Sequence, residues 1–189
     1  MPTTPVSEGH DSEGVAARAE NRWAIFVGLV IGLLLFMIAF TSLHWVKMPS
    51  KRIETVNPST LHITGEFTED NLGSAVEPDG SVTVRLVGQQ YSFTPQCILV
   101  PDRTPVRIRG TSADVIHGFI IADTNVNVML EPGYISTFQT TFKKTGTHVM
   151  PCHEYCSVGH AGMWAHVKVI AKEDFFRQAR NGRRLSCVQ

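Results

Sequence analysis

The sequence has no excess of charge of either sign. Its 189 residues carry 17 Lys and Arg against 17 Asp and Glu, so the formal net charge is zero. A neutral chain has no overall electrostatic attraction for nucleic acid or anionic lipid, so no nucleic-acid partner is expected. Charged residues make up only 18% of the chain and hydrophobic residues 43%, which excludes a disordered protein. The four cysteines are too few for a disulfide-dense miniature scaffold.

Charge is absent altogether from residues 23–46, which contain no Asp, Glu, Lys or Arg. As a helix this stretch would span about 36 Å, enough to cross a ~30 Å hydrocarbon core. Trp23 and Trp45 lie near its two ends, where indole rings favour the membrane interface. A cleaved signal peptide is the alternative, but the long polar lead and the lack of a small-x-small exit site argue against it. We therefore predict a retained transmembrane helix.

The rest of the chain divides by composition. Residues 1–22 form a polar tail that we expect to be disordered, and residues 47–80 a proline-containing connector with little regular structure. Residues 81–171 predict an all-β sandwich or Greek-key barrel, because short β-rich runs alternate with turn signals. Residues 172–189 form a tail with a short helix at 173–180. The predicted strands are 81–88, 96–100, 105–110, 118–122, 126–130, 134–142, 147–150 and 166–171.

The chemistry is concentrated in Pro151–Trp164, which reads PCHEYCSVGHAGMW and lies in a loop between two predicted strands. Cys152, Cys156, His160 and Met163 are candidate soft-metal ligands. Thiolate, imidazole and thioether together select copper, whereas structural zinc sites prefer four Cys or His donors. The C-x-x-C-H signature of covalently attached haem is absent.

A further histidine, His117 in the stretch DVIHGF, lies upstream on a strand-like run. With one cysteine, one histidine and one methionine from the loop, it would complete a mononuclear blue-copper site. The second cysteine, Cys152, argues against that interpretation. Two thiolates can bridge two copper ions, and each ion would then take one of the two imidazoles.

These residues resemble a known family. C-x-E-x-C-x-x-x-H-x-x-M with an upstream histidine is similar to the binuclear copper (CuA) signature of cytochrome c oxidase subunit II. The resemblance extends over residues 23–170, and the single helix, short domain and DVIHGF stretch look most like the B-family (ba-type) haem–copper oxidases. It implies a cupredoxin-like Greek-key barrel anchored by one N-terminal transmembrane helix.

The resemblance also implies a ligand set. The ligands would be Cys152 and Cys156 as bridging thiolates, His117 and Met163 on one copper, and His160 with the backbone carbonyl of Glu154 on the other. In similar proteins the acidic side chain at the position of Glu154 helps to hold magnesium at the interface with subunit I. B-family members often carry an amide there, so Glu154 departs from that pattern and leaves the magnesium site open.

Two other features carry expectations. The stretch GQQYSF (88–93) resembles the patch through which electrons enter many subunits II, with Tyr91 and Phe93 at its aromatic positions. The alternative is that both rings fill the barrel core. Cys97 and Cys187 lie outside the copper motif, and we hypothesise a disulfide between them in an oxidising compartment; the alternative is two free thiols.

The implied function is subunit II of a terminal haem–copper oxidase. It would accept single electrons from a periplasmic cytochrome c or similar donor and pass them to haem in subunit I, where oxygen is reduced and protons are pumped. The chain would cross the cell (inner) membrane once, with its N-terminus cytoplasmic and its copper domain outside. Alternatives are the CuA subunit of a nitric oxide reductase and a membrane-anchored, thioredoxin-like copper chaperone, which would require alternating helices and strands.

Overall fold

The computed structural model describes residues 9–44 and 53–187. The chain divides into two units, with the boundary between residues 47 and 48. The described residues of the first unit form one helix, α1 (Gly9–His44), of which Gly14–His44 is long and apolar enough to cross a membrane. Residues 9–22 are therefore helical, which corrects the expectation of a disordered tail; this segment contains several alanines, the residue with the highest helix propensity. Trp45 and residues 1–8 lie outside the described residues.

The second unit is built from strands. Within residues 53–187 there are eleven, with one short helix, α2 (Lys172–Gln178), after them. The strands are β1 (Glu54–Thr55), β2 (Gly73–Val76), β3 (Val82–Gln89), β4 (Ser92–Thr94), β5 (Cys97–Pro101), β6 (Pro105–Ser112), β7 (His117–Ile120), β8 (Asn127–Leu130), β9 (Tyr134–Thr141), β10 (Gly146–Pro151) and β11 (Trp164–Ile170). Each of the eight predicted strands is present, so the all-β prediction is confirmed.

The strands form two sheets and a ribbon. The larger sheet has the order β1-β9-β6-β3-β2, with β4 also paired to β3, and the smaller has the order β10-β11-β5. The β3–β6 and β11–β5 pairs are parallel, and the other pairs in the sheets are antiparallel. The antiparallel ribbon β7–β8 carries His117 at its start. The chain therefore crosses repeatedly between the sheets, as a Greek-key sandwich requires.

The core lies where the inner faces of these elements meet. It takes Val84 and Ile108 from the larger sheet, Ile98 and Val167 from the smaller, and Phe119 from the ribbon. Along β11 the buried and less buried residues alternate, as expected for a strand with one face on the core. This alternation also explains why β11 could be predicted from the sequence.

The connector differs from its prediction. It contains β1, β2 and two short 3-10 turns at Pro58–Thr60 and Glu69–Asn71. Its Leu61 and Phe67 are fully buried and pack with Leu72 and Val87 in a second, smaller core. The connector is thus part of the folded unit, because it covers the larger sheet with apolar side chains of its own.

Ion pairs join this connector to the sheet beneath it. The guanidinium of Arg109 on β6 contacts the carboxylates of Glu54 and Glu66, at 2.6 Å for Glu54. Arg85 on β3 also reaches Glu66, at 3.2 Å, and pairs with Glu77 at 2.7 Å. Hydrogen bonds from Arg109 to Glu66 and Glu54 raise the pKa of Arg109 further above its usual value. The Arg109 guanidinium therefore stays charged over the whole neutral range.

The C-terminal tail is fastened across both sheets. Leu185 exchanges two backbone hydrogen bonds with Ser74 on β2, at 2.7 and 2.8 Å. Cys187 forms a disulfide with Cys97 on β5, with the two Cα atoms 5.1 Å apart. Helix α2 begins one residue before the predicted 173–180 segment and ends two residues earlier.

Candidate metal centre

The loop that carries the thiols is closed at its base by a β-hairpin. Strands β10 and β11 are antiparallel and pair Pro151 with Trp164, immediately outside the loop. The backbone N–H of Cys152 donates to the carbonyl of Met163 at 3.0 Å. The first and last candidate ligands of the motif are therefore neighbours in space although eleven positions apart in the chain.

Sulfur and nitrogen atoms converge inside this loop. The Sγ atom of Cys156 lies 3.9 Å from Sγ of Cys152, 3.7 Å from Sδ of Met163 and 3.6 Å from Nδ1 of His160. Sγ of Cys152 lies 3.2 Å from the backbone carbonyl oxygen of Glu154. The three sulfur-bearing residues are buried and His160 is half-buried, so the donors meet below the protein surface.

His117 reaches the same point from the ribbon. One ring nitrogen of this fully buried residue lies within 4.8 Å of the thiol sulfurs of Cys152 and Cys156. Its Nε2 donates to Oδ1 of Asp114 at 2.8 Å, whereas its Nδ1 has no hydrogen-bond partner. Buried polar atoms are normally satisfied, so the unpartnered Nδ1 of His117 is suited to bind a metal ion.

The position of the His117 ring depends on a glycine. A Cβ placed on Gly88 of β3 would lie 3.3 Å from Cδ2 of His117, tighter than most such contacts. The lack of a side chain at Gly88 leaves room for the imidazole. The sheet therefore shapes the pocket wall as closely as the ligand loop does.

Burial and hydrogen bonds together set the protonation of the site. Burial, and next the neighbouring Cys152, raise the pKa of the Cys156 thiol to about 11. Burial would also raise the pKa of Asp114, but hydrogen bonds from the backbone of Gln90 and from His117 outweigh it and lower the pKa. The site thus holds a neutral thiol and an ionised carboxylate at pH 7, and a metal that binds the thiol must displace its proton.

The donor set fits copper. It combines two cysteine sulfurs, one thioether, two imidazoles and one backbone carbonyl, and soft donors with imidazole are typical of copper sites. All six residues predicted as ligands lie in the segments that the fold brings together here.

The two aromatic residues of GQQYSF have different surroundings. Tyr91 is exposed in the turn between β3 and β4, and its ring lies where a Cβ on Gly159 would come within 2.5 Å. Phe93 is completely buried and packs edge to face with Phe119, at 5.8 Å between ring centres. Phe93 is therefore a core residue, the alternative given above, and only Tyr91 reaches the surface.

Sequence reasoning missed two residues beside the site, Asp114 and Gln90. Asp114 could have been found from its place three residues before a candidate ligand histidine, since ligand imidazoles usually bond a carboxylate. Gln90 left no such signal, because its contacts depend on how distant segments fold together.

Known proteins are similar to this chain in sequence. The family "Cytochrome C oxidase subunit II, periplasmic domain" matches residues 82–170. A cytochrome c oxidase subunit 2 of Thermus thermophilus is 32% identical over 122 residues, covering 65% of this chain and 90% of that protein. The chain belongs to the cytochrome c oxidase subunit II family. A second cytochrome c oxidase subunit 2 of the same species is 29% identical over 162 residues, covering 85% of this chain and 96% of that protein.

A solved structure supports the fold. A chain of a heme-copper terminal oxidase dimer aligns over 80% of this chain and 99% of its own length, with a TM-score of 0.58 and 23% identity. The cupredoxin-like fold with one N-terminal apolar helix is thereby confirmed, and a thioredoxin-like chaperone is excluded for an all-β unit. As a member of the cytochrome c oxidase subunit II family, the chain is a membrane-associated, copper-binding subunit of an oxidoreductase, in a complex with subunit I.

Proposed function

We propose that this subunit II holds a binuclear CuA centre and transfers single electrons from a cytochrome c or similar donor to haem in subunit I. In the assembled complex these electrons serve oxygen reduction coupled to proton pumping. The observation that carries the proposal is the convergence of two thiols, 3.9 Å apart, with a thioether and the unpartnered Nδ1 of His117. One thiol would suffice for a mononuclear site, so the second thiol favours a bridged pair.

Each donor has a role in this proposal. Cys152 and Cys156 would hold both copper ions through their thiolates, Nδ1 of His117 and Sδ of Met163 would bind one ion, and Nδ1 of His160 and the backbone carbonyl of Glu154 would bind the other. When bound, a bridged copper pair gains or loses one electron with little change in geometry. Six protein donors leave no ligand position for a substrate, in contrast to a catalytic metal site.

The chain itself supplies the rigidity. A 3-10 turn at His160–Gly162, closed by the hydrogen bond from Met163 N to His160 O at 3.1 Å, sets the spacing of the last two ligands. The Cys152–Met163 hydrogen bond closes the loop, and Asp114 holds His117. Burial of the sulfurs keeps water away from the donors. Ligands held in this way need little rearrangement when the charge changes.

The surface above the loop is suited to protein contacts. Tyr155 is 73% exposed, Val158 89% and Trp164 49%, and Tyr91 is exposed beside them in contact with the loop. Exposed apolar groups in one segment are typical of protein interaction sites. We assign this surface to the donor and to subunit I, with the exposed carboxylate of Glu154 as the candidate magnesium ligand at the subunit interface.

The orientation follows from redox chemistry. Disulfides persist in oxidising compartments such as the periplasm and are rare in the cytosol. The disulfide between Cys97 and Cys187 therefore supports a β unit outside the cell membrane, with the N-terminus of α1 on the cytoplasmic side.

The test is copper loading of the full chain in detergent. We expect two coppers per chain and an electron paramagnetic resonance spectrum in which one electron is shared by both nuclei. Cys156→Ser should lose this signal, whereas Ser186→Ala, which changes an exposed residue outside the motif, should keep it. One copper per chain with hyperfine splitting from a single nucleus would overturn the proposal.

A further inference from the structure

Gln90 lies in the turn between β3 and β4 and supplies no donor to the candidate metal centre. It is nevertheless the point where two ligand-bearing segments meet. We infer that Gln90 is a positioning residue that holds the His117 segment and the thiol loop in register, an inference that rests on the proposed copper centre.

The backbone of Gln90 acts on the His117 segment. Its N–H donates to Oδ2 of Asp114 at 2.7 Å, and Oδ1 of the same carboxylate accepts from Nε2 of His117 at 2.8 Å. A proton on Nε2 leaves the lone pair of Nδ1 free for a metal. The backbone N–H of Gln90 therefore holds the Asp114 carboxylate in place. That carboxylate in turn sets both the tautomer and the orientation of the His117 ring.

The side chain of Gln90 acts on the thiol loop. Its Nε2 donates to the backbone carbonyl of Cys156 at 2.7 Å. Cys156 is the central residue of the cluster, because its Sγ lies within 3.9 Å of Cys152, Met163 and His160 donors alike. Anchoring its backbone consequently sets the depth at which the central sulfur lies in the pocket.

The two contacts span large separations in the chain. Gln90 is 24 residues from Asp114 and 66 residues from Cys156. Gln90 directly follows β3, which lies between β2 and β6 inside the larger sheet. Pairing on both sides of β3 therefore keeps the start of this turn in place. The next residue, Tyr91, packs on Gly159, so the same turn touches the loop a second time.

A purely structural role explains this arrangement poorly. Gln90 is an exposed residue and belongs to neither apolar core, so removing its amide opens no cavity. What its loss does change is the restraint on Cys156. A thiolate free to shift would be shared less evenly between two metal ions, and the electronic structure would report that change while the fold stayed intact.

The experiment compares Gln90→Met with Gln139→Met in the full chain. Methionine keeps the length and neutrality of glutamine but cannot donate, and Gln139 is an exposed glutamine on β9. Each variant is loaded with copper, and its hyperfine pattern, reduction potential and rate of copper loss to a chelator are measured. The melting temperature of the metal-free protein is recorded as well.

We expect Gln90→Met to keep two coppers but to show unequal hyperfine couplings, a shifted potential and about fivefold faster copper loss, the effect of one hydrogen bond. Gln139→Met should match the wild type, and both metal-free variants should melt as the wild type does. An unchanged spectrum and potential in Gln90→Met would overturn the inference, as would a change limited to the melting temperature.

A second measurement, on the wild-type protein, tests the inference in case Gln90→Met does not fold. In the copper-loaded, reduced wild type, the side-chain amide protons of Gln90 should exchange with solvent more slowly than those of Gln139. Equal exchange rates would overturn the positioning role. If the wild type itself fails to bind two coppers, the proposed function fails and the inference fails with it. If the wild type binds two coppers and Gln90→Met has the same spectrum and reduction potential, only the inference fails.

Discussion

Removal of the tail disulfide should destabilise the β unit strongly. Cys97 and Cys187 are 90 positions apart in the chain, and their disulfide links β5 of the smaller sheet to the C-terminal tail. In the loop-closure treatment, a cross-link over a loop of that length is worth about 4.6 kcal/mol at 25 °C, because it reduces the entropy of the unfolded chain. With an unfolding entropy of roughly 0.28 kcal/mol/K for about 135 residues, the double variant Cys97→Ser with Cys187→Ser should melt about 16 °C lower.

The assay is thermal unfolding of the full chain in detergent, followed by near-ultraviolet circular dichroism. Ser186→Ala is the control, because it changes an exposed residue of the same tail and should shift stability by less than about 0.5 kcal/mol. A decrease in melting temperature below about 3 °C in the double variant would refute the entropic reasoning. Alkylation of both Cys97 and Cys187 in native, unreduced protein would refute the bond itself.

Two further predictions concern charge and space. Burial would raise the pKa of Glu77, but hydrogen bonds and charges from Arg85 and a second arginine lower it below its usual 4.5. The ionised carboxylate of Glu77 therefore stabilises the fold above that pH, and this stabilisation is lost as the carboxylate protonates at lower pH. Between about pH 5 and pH 3, the urea midpoint of Glu77→Gln should fall less than that of the wild type, and equal decreases would contradict this. The added Cβ of Gly88→Ala would come within 3.2 Å of Cδ1 of Leu130 and 3.3 Å of Cδ2 of His117, so this variant should displace both side chains and cost about 1 kcal/mol, with an altered copper spectrum. Gly162→Ala, whose added Cβ meets no atom within 4 Å, should leave the spectrum unchanged; the reverse ranking would contradict the packing argument.

The strands that could be predicted from the sequence are those whose pattern of apolar residues indicates a strand without help from other segments. Strands such as β3 and β11 bury alternate or continuous apolar residues, and that pattern is visible in the sequence. The connector was not predictable in the same way. Phe67 is buried only because residues 53–72 lie on the larger sheet, and Glu66 is held there by arginines 19 and 43 positions away. Such order depends on tertiary contacts, which a short segment does not encode alone.

The candidate site was predictable to the extent that a metal demands particular residue types at particular spacings. The loop donors stand out for this reason; a copper site on such a loop needs a second imidazole, which leads to His117, and the second thiol favours two copper ions over one. Asp114 and Gln90 act through these donors, and their contacts appear only when β3, β7 and the loop come together. Phe93 was ambiguous because an aromatic residue in a short strand has the same sequence signature whether it faces the core or solvent.

The parallel pairing of β5 with β11 determines when this unit can fold during synthesis. The partner of Cys97 in that pair is His166, and the final hydrogen bonds to β2 come from Leu185. The strands of the larger sheet end at Thr141, so that sheet can pair first, whereas the smaller sheet cannot close until β11 has been made. The candidate ligands at 152–163 are made before the strand that completes their pocket, so the thiols remain accessible to delivery factors and oxidants for a short interval in every newly made molecule.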